Sequence, residues 1–445
     1  MPKALKIRDL TLRDAQQRLF GGRMTQDHIG RLLPLYRKAG FHIVEIWGGS
    51  LPTALMASLG ESPWDRLRVC ASELKGVSLL AAVSQGKAVF GGPVYPDYII
   101  DSIYKEAFRN GIDVMRVEDT DHDPETLRES VLEIVSLGAI ADPELSLLPE
   151  FRSAEPNSKK RGFLSLLFGA EETGEEEVKE YSDEYYISLA KKLEETGAGI
   201  ITLSDSSAGV GSSRLYSLIP KLKQAVKVPL DFYTRYVHGK SLAELLTSII
   251  KGVDIVDCCV WWFSGISSVP PIELVWLFCR RLDIELDVDM EAIGLIRKEL
   301  REIRRSLVDF DSCLFSIPRE FEKALEDMPD EVEALFDKAI SAATDDRQEE
   351  LYDACRAIET YFGFPSNIPE ALMEKPEEDF TDSLEEREPE PYCEPANPNL
   401  AEFGGVKLAR NEDEFLLLEL FPEAAETSLR SLREQEFKKG NQESE

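Results

Sequence analysis

The sequence predicts an α/β chain built on a closed barrel of eight parallel strands, with a helical appendage and an acidic tail behind it. Three observations predict it. Over the first 285 residues, short apolar runs rich in Ile, Val and Leu alternate with longer segments of helical period. Several of these runs follow a glycine, in AGFHIVEI, NGIDVMRV, GAGIITLS and KGVDIVDC, which reads as a helix C-cap feeding directly into a strand. The turn after the first strand is LRDAQQR, without the GxGxxG phosphate turn usual in an open doubly wound sheet. About eight such units point to a (β/α)8 barrel of the TIM type.

The strands are expected near 5–10, 42–47, 78–83, 112–117, 163–168, 199–204, 228–233 and 254–260. Helices are expected at 25–39, 97–110, 124–138, 183–196, 214–226, 240–251 and 271–283. The segment 183–196 (DEYYISLAKKLEET) shows why: its apolar residues recur at three and four, and Gly197 stops it. The stretch 139–160, with its Pro and Ser, reads as an irregular insertion. Residues 1–285 thus form the barrel. Helical runs at 289–307, 317–328, 330–344 and 347–361 make 286–370 a helical extension. Residues 371–445 hold 21 acids and 8 bases and form an acidic, partly disordered tail. Within it the Glu- and Pro-rich stretch 374–398 should be extended and open to protease. The run 414–421 (EFLLLELF) should dock on the folded body as a strand or short helix, because three successive leucines are costly to leave in water.

Composition narrows the function. The 83 acids against 51 bases give a net charge of −32. That lacks the positive footprint of nucleic-acid binding and disfavours anionic membrane surfaces. An acidic solubility surface accounts for it most simply. No basic segment followed by an apolar stretch opens the sequence, and no uncharged apolar window is long enough for a membrane span. The seven cysteines, odd in number, form neither a disulfide framework nor a CxxC metal site, so a reducing cytoplasm is expected.

In such a barrel the chemistry gathers where the strands end. These ends carry Arg13-Asp14-Ala15-Gln16-Gln17, Glu45-Ile46-Trp47-Gly48-Gly49, Arg116-Val117-Glu118-Asp119, Ser204-Asp205, Tyr233-Thr234-Arg235 and Trp261-Trp262-Phe263. Glu45 reads as a framework acid. The three aromatics either fill the mouth or form a binding patch. Of the four histidines, His28 and His42 lie away from the mouth, while His122 and His238 sit in loops at it.

The phrases TLRDAQQRLFGGRM, VEIWGGS, SPWDRLR, NGIDVMRVEDTDHD, SDSSAGV and VDIVDCC…SGISSVPPIE, in this order, resemble the carboxyltransferase barrel of biotin-dependent enzymes. Its members are the pyruvate carboxylase transferase domain, the oxaloacetate decarboxylase alpha subunit and the large transcarboxylase subunit. The resemblance runs over residues 5–310, and implies a weakened helical extension to about residue 366. It implies a divalent metal at the mouth, a keto-acid substrate, and biotin carried on a separate domain. In this family one Asp, two His and a carboxylated Lys hold the metal, and an Arg grips the substrate.

Carried over residue by residue, the resemblance keeps Asp14 at the family's Asp, with Arg13 before it and Gln17 at the family's Gln. Gln16 replaces a neighbouring His. Ser204 stands at the Lys position, Tyr233 and Arg235 at the two His positions, and Gln85 near the substrate-gripping Arg. The late proton-shuttle Thr has no counterpart. Asp14 is thus the only ancestral metal ligand kept, with His238 as a substitute ligand. Tyr ionises near pH 10, and Arg only donates and carries a fixed positive charge, so a divalent metal is not expected.

The catalytic candidates are Arg13, Asp14, Gln17 and Arg235; the substrate-binding candidates are Gln85, Arg116, Ser204 and Tyr233. Two readings of Arg235 stand: a replacement for the metal charge that holds a keto-acid carboxylate, or a structural ion pair with Asp14. The implied function is a divergent pyruvate/oxaloacetate carboxyltransferase-like subunit. It would lack the metal-dependent activity and act as a non-catalytic partner, with no firmly bound cofactor. Its expected partners are copies of itself or a related carboxyltransferase subunit, a biotin carrier, and a small carboxylate. The alternatives are an active biotin-dependent carboxyltransferase or oxaloacetate decarboxylase subunit, or a metal-free keto-acid or thioester enzyme using Asp14 and Arg235. A scaffold without any ligand is the reading from another class.

Overall fold

The computed structural model describes residues 4–86, 89–90, 95–118, 124–148, 181–206, 208–265, 268–314, 317–364 and 401–442. Eight parallel strands close into a barrel in chain order: β1 (Lys6–Asp9), β2 (Ile43–Gly48), β3 (Leu79–Ser84), β4 (Val114–Val117), β5 (Ile140–Ser146), β6 (Ile201–Asp205), β7 (Leu230–Thr234) and β8 (Ile255–Cys258). The ring closes by β1 pairing with β8, Lys6 opposite Ile255 through Asp9 opposite Cys258. Helices cover the outside, among them Gln26–Ala39, Pro63–Leu74, Asp97–Arg109, Asp183–Thr196 and Lys240–Lys251.

One strand falls where the pattern did not place it. Strand five is Ile140–Ser146 (IADPELS), inside the stretch read as an irregular insertion, and 163–168 lies outside the described residues. Pro143 and two acids disguise it. Ala141 and Leu145 join the core between barrel and helices, whereas Asp142 and Glu144 alternate with them. An acid on the inner face interrupts the apolar run by which a buried parallel strand is recognised.

The barrel interior is layered. Ile43, Ala81, Val114, Ile200 and Ile255 form a small cluster separate from the main core, near the strand starts. Above it lies a layer of charge. Arg8 Nη2 donates to Asp142 Oδ2 at 2.6 Å. Arg116 donates to Asp257 at 2.6 Å and to Asp231 at 2.8 Å, and lies 3.4 Å from Asp142. All five residues are buried. Two guanidiniums thus face three carboxylates. Burial pushes the Asp257 carboxyl up to about 7, with Arg116 opposing and Asp231 adding to the shift; burial likewise raises Asp231.

Other buried acids shift the same way, chiefly through burial: Asp9 to about 7, Glu144 and Glu359 to about 8. Each keeps its proton in the folded chain where the unfolded chain has released it. Stability therefore falls as pH rises between the ordinary carboxylate range and about 8. We expect a melting temperature roughly 5 °C lower at about pH 8.5 than at about pH 6. Glu144→Gln and Glu359→Gln should flatten the dependence. A melting temperature that rises over this interval, or variants that leave the slope intact, would contradict the assignment.

The extension packs against the barrel through Met290–Ser306, Phe321–Glu326, Asp330–Thr344 and Gln348–Tyr361. Its hub is the aromatic triplet after β8. Trp261 is fully buried, with its ring centroid 4.9 Å from that of Phe321, 5.5 Å from Phe362 and 5.1 Å from Phe364. Its indole nitrogen donates to the Arg319 carbonyl at 2.8 Å. Phe263 turns the other way and meets Phe20 at 5.0 Å. The triplet is thus a seam between barrel and extension. Further along, the apolar run of the tail folds as the helix Glu412–Leu420, followed by Pro422–Gln442. The stretch 374–398 lies outside the described residues.

Candidate functional site

The turn after β1 is built from its own polar residues. Asp9 accepts from the Thr11 hydroxyl at 2.6 Å and the Tyr36 hydroxyl at 3.0 Å. The Thr11 oxygen in turn accepts from the Val260 amide at 2.9 Å, which ties the end of β1 to the end of β8. A π-helical turn Thr11–Ala15 then runs into the short helix Gln16–Phe20. Gln16 is buried and used locally, donating to the Leu12 carbonyl at 2.6 Å and accepting from the Met24 amide at 3.2 Å.

This turn presents Arg13, Asp14, Gln17 and Arg18. Arg13 Nε donates to Glu45 Oε1 at 2.7 Å, and its Nη1 lies 3.4 Å from Asp14 Oδ1. Arg18 Nε donates to the same Asp14 oxygen at 2.8 Å. Asp14 is 1% exposed, and its Oδ2 has no hydrogen-bond partner among the described residues. Burial pushes the Asp14 carboxyl up, but Arg18 and Arg13 outweigh it and hold the group below its ordinary value.

The ion pair expected between Asp14 and Arg235 is therefore corrected: Arg18 and Arg13 take that place. Arg18 stands four residues on in the same helical segment, the spacing that brings side chains together. Arg235 opens the loop after β7 and reaches Asp14 only through its field. Among the described residues Arg235 has no carboxylate within ion-pair distance, and its Nε is buried without a partner.

Other candidates gather around this group. Gln17 Oε1 is buried without a partner among the described residues. It lies against Gly49, where an added Cβ would meet Gln17 Oε1 at 3.0 Å and Arg13 Nη1 at 3.4 Å, at a φ of +55° that also favours glycine. Gln85 donates to Glu118 Oε2 at 2.8 Å. Ser204 is buried beside Glu144. The Tyr233 ring lies with its centroid 6.0 Å from the Arg116 guanidinium carbon. Its hydroxyl is pushed up chiefly by burial and feels Arg18, Asp14, Arg235 and Glu144.

Two candidates stand apart. Arg116 lies in the interior charge layer, with three carboxylates about its guanidinium. His238 sits on the seam with the extension, its Nε2 3.4 Å from Thr360 Oγ1 and 3.9 Å from Glu359. Asp119 and His122 lie outside the described residues. The sequence reading passed over Arg18 and Glu144. Arg18 was legible as the basic residue one turn after Asp14; Glu144 was hidden by the misplaced fifth strand.

A divalent ion at this mouth would need about three protein ligands and one open position. Among the described residues no three of His, Cys, Asp or Glu converge in that way. Among the described residues Asp14 offers one unpartnered oxygen, and the groups that act on it are the guanidiniums of Arg18, Arg13 and Arg235, with the Tyr233 phenol nearby.

Fold and site define the class of protein: a (β/α)8 barrel whose strand ends gather arginines and carboxylates around one buried aspartate. No family model matches the chain. It is 28% identical over 304 residues to a pyruvate carboxylase subunit of Methanocaldococcus jannaschii, covering 67% of this chain and 48% of that one. It is 26% identical over 314 residues to the methylmalonyl-CoA carboxyltransferase 5S subunit of Propionibacterium freudenreichii, covering 70% and 56%. The carboxyl transferase domain of Rhizobium etli pyruvate carboxylase shares the fold, with a TM-score of 0.66 and 21% identity over 96% of this chain and 77% of that one. The chain spans about half or less of the length of the first curated relatives it matches. Over two thirds or more of its length it is thus similar to pyruvate carboxylase chains and to a methylmalonyl-CoA carboxyltransferase subunit. No helix among the described residues is long and apolar enough to cross a membrane.

Proposed function

We propose that this chain is a carboxyltransferase-like subunit that holds a small carboxylate at its barrel mouth without a metal and does not itself carry out metal-dependent carboxyl transfer. On this reading it is a non-catalytic partner of a related carboxyltransferase subunit and of biotin borne on a separate carrier. The observation that carries the proposal is the occupation of Asp14 by Arg18 and Arg13. A carboxylate that already faces two guanidiniums is a poor ligand for a third, divalent cation.

The chemistry follows from the groups present. Carboxyl transfer to or from a keto acid requires a developing enolate to be stabilised. Arg235 and Arg18 can hold a carboxylate or oxyanion by charge-assisted hydrogen bonds. They offer no Lewis-acid centre with exchangeable positions. Gln85, engaged with Glu118, supplies an amide where the family places a guanidinium. Losing one oxyanion donor costs roughly 3 kcal/mol in well-studied cases, and losing several groups costs more, though not additively.

The test uses the purified full chain with oxaloacetate or pyruvate, free biotin or a supplied biotin carrier, with and without zinc, manganese or cobalt. We expect no turnover above the double variant Asp14→Ala with Arg235→Ala, and well under about one bound ion per chain. Turnover above that variant, or a tightly held ion lost in Asp14→Ala, would overturn the proposal. Turnover that needs no added metal would favour the keto-acid enzyme built on Asp14 and Arg235.

A further inference from the structure

Residues 401–442 fold back onto the side of the barrel, and their contacts lead to the mouth. Asp413, 7% exposed, accepts from Arg68 at 2.5 Å and from Arg109. Arg109 also reaches Glu412 at 3.0 Å. Arg68 and Arg109 project from neighbouring helices on the barrel wall, Pro63–Leu74 and Asp97–Arg109. Leu416, Leu417, Leu418, Ala425 and Leu429 of the same segment are buried. The segment also holds itself together: Arg433 donates to the Leu408 carbonyl at 3.1 Å and to Glu414.

From the joint between the two tail helices, a line of rings runs inward. Phe421 faces Phe90 with centroids 5.9 Å apart. Phe90 meets Trp47 edge-on at 5.3 Å, and Trp47 stacks on Trp64 at 5.2 Å. Trp47 lies in β2, two residues after Glu45, the partner of Arg13. Next to it Gly48 runs so close to β3 that an added Cβ would come within 2.0 Å of the Val83 carbonyl oxygen. The register of β2 against β3 shifts between Glu45 and Trp47. The end of β2 is thus an irregular strand end, with Trp47 packed between Trp64 and Phe90.

We propose that residues 401–442 are a salt-latched strap that sets the shape of the β2 end of the barrel mouth through Phe421, Phe90 and Trp47, and whose release is a conformational control built into the chain. The latch is two arginines on the barrel wall against the Glu412–Asp413 pair. The transmission is aromatic packing, which is directional and close enough to be lost when Phe421 withdraws. A docked segment of this kind, held by its buried leucines and a few charges, can open as a unit without global unfolding. The proposal needs no ligand and no metal, so it stands or falls apart from the carboxylate-binding reading.

Amide hydrogen exchange on the full-length chain tests it. Arg68→Glu with Arg109→Glu should raise exchange in 412–429 by roughly tenfold and raise exchange in 43–49 as well. Adding Glu412→Lys with Asp413→Lys to that variant should restore protection in both segments. Phe421→Ala should raise exchange in 43–49 while 412–417 stays protected. The strap reading fails if 43–49 keeps its protection when 412–429 loses it. It also fails if the charge-reversed quadruple variant restores neither segment.

Discussion

Replacing Arg116 by methionine should cost about 3–5 kcal/mol of stability, among the largest losses any single substitution in this chain can produce. The native layer sets two guanidiniums against Asp142, Asp231 and Asp257, all removed from water. Without Arg116 only Arg8 remains for three carboxylates. Arg8 already contacts Asp142 at 2.6 Å and Asp231 at 3.2 Å, and it is 3.9 Å from Asp257. The uncompensated charge, rather than the lost volume, is what destabilises, because methionine fills much of the space. Adding Asp231→Asn and Asp257→Asn to Arg116→Met should therefore recover much of the loss. Urea unfolding of the three proteins measures this. A loss under about 1 kcal/mol for Arg116→Met would show that the layer is hydrated, and no recovery in the triple variant would show that packing dominates.

Trp261→Ala should cost about 3–5 kcal/mol and loosen the extension before the barrel. The indole touches three rings of the extension and donates to a carbonyl there. Truncation leaves a cavity at the seam and an unpaired Arg319 carbonyl. Trp261→Phe should cost less, since it keeps ring contacts and loses only the donor and part of the volume. Limited proteolysis reads the order of events: cleavage within 290–361 should appear in Trp261→Ala while the barrel stays intact. Equal resistance of wild type and Trp261→Ala would mean that other contacts hold the extension, among them the Arg297 links to Glu273 at 3.0 Å and Glu322 at 2.6 Å.

Much of the site was legible because it is local. Arg13, Asp14 and Gln17 lie on one turn, and a phrase of that kind at the end of a first strand points to the mouth of a barrel. Arg235 and Tyr233 follow from the same rule applied to β7. What local reading could not give was who pairs with whom. Asp14 had two plausible partners in sequence, Arg18 at four residues and Arg235 some two hundred residues away, and only the fold shows that the near one lies within bonding distance. Arg116 looked like a mouth residue because it ends a strand, yet it turns inward to three acids that come from three other strands.

Alternating periods and glycine stops were enough to determine a barrel of βα units, because burial of one helix stripe and both strand faces leaves its period in the residue order. They placed seven of the eight strands; the fifth escaped because Asp142 and Glu144 break its apolar run. Tertiary structure alone decided the charge layer inside the barrel, the seam role of Trp261 and the seat of the tail on Arg68 and Arg109. The physical reason is common to all three. A charge or an aromatic ring is stabilised by partners brought from distant parts of the chain, and that pairing is a matter of position in space, which no period in the sequence records.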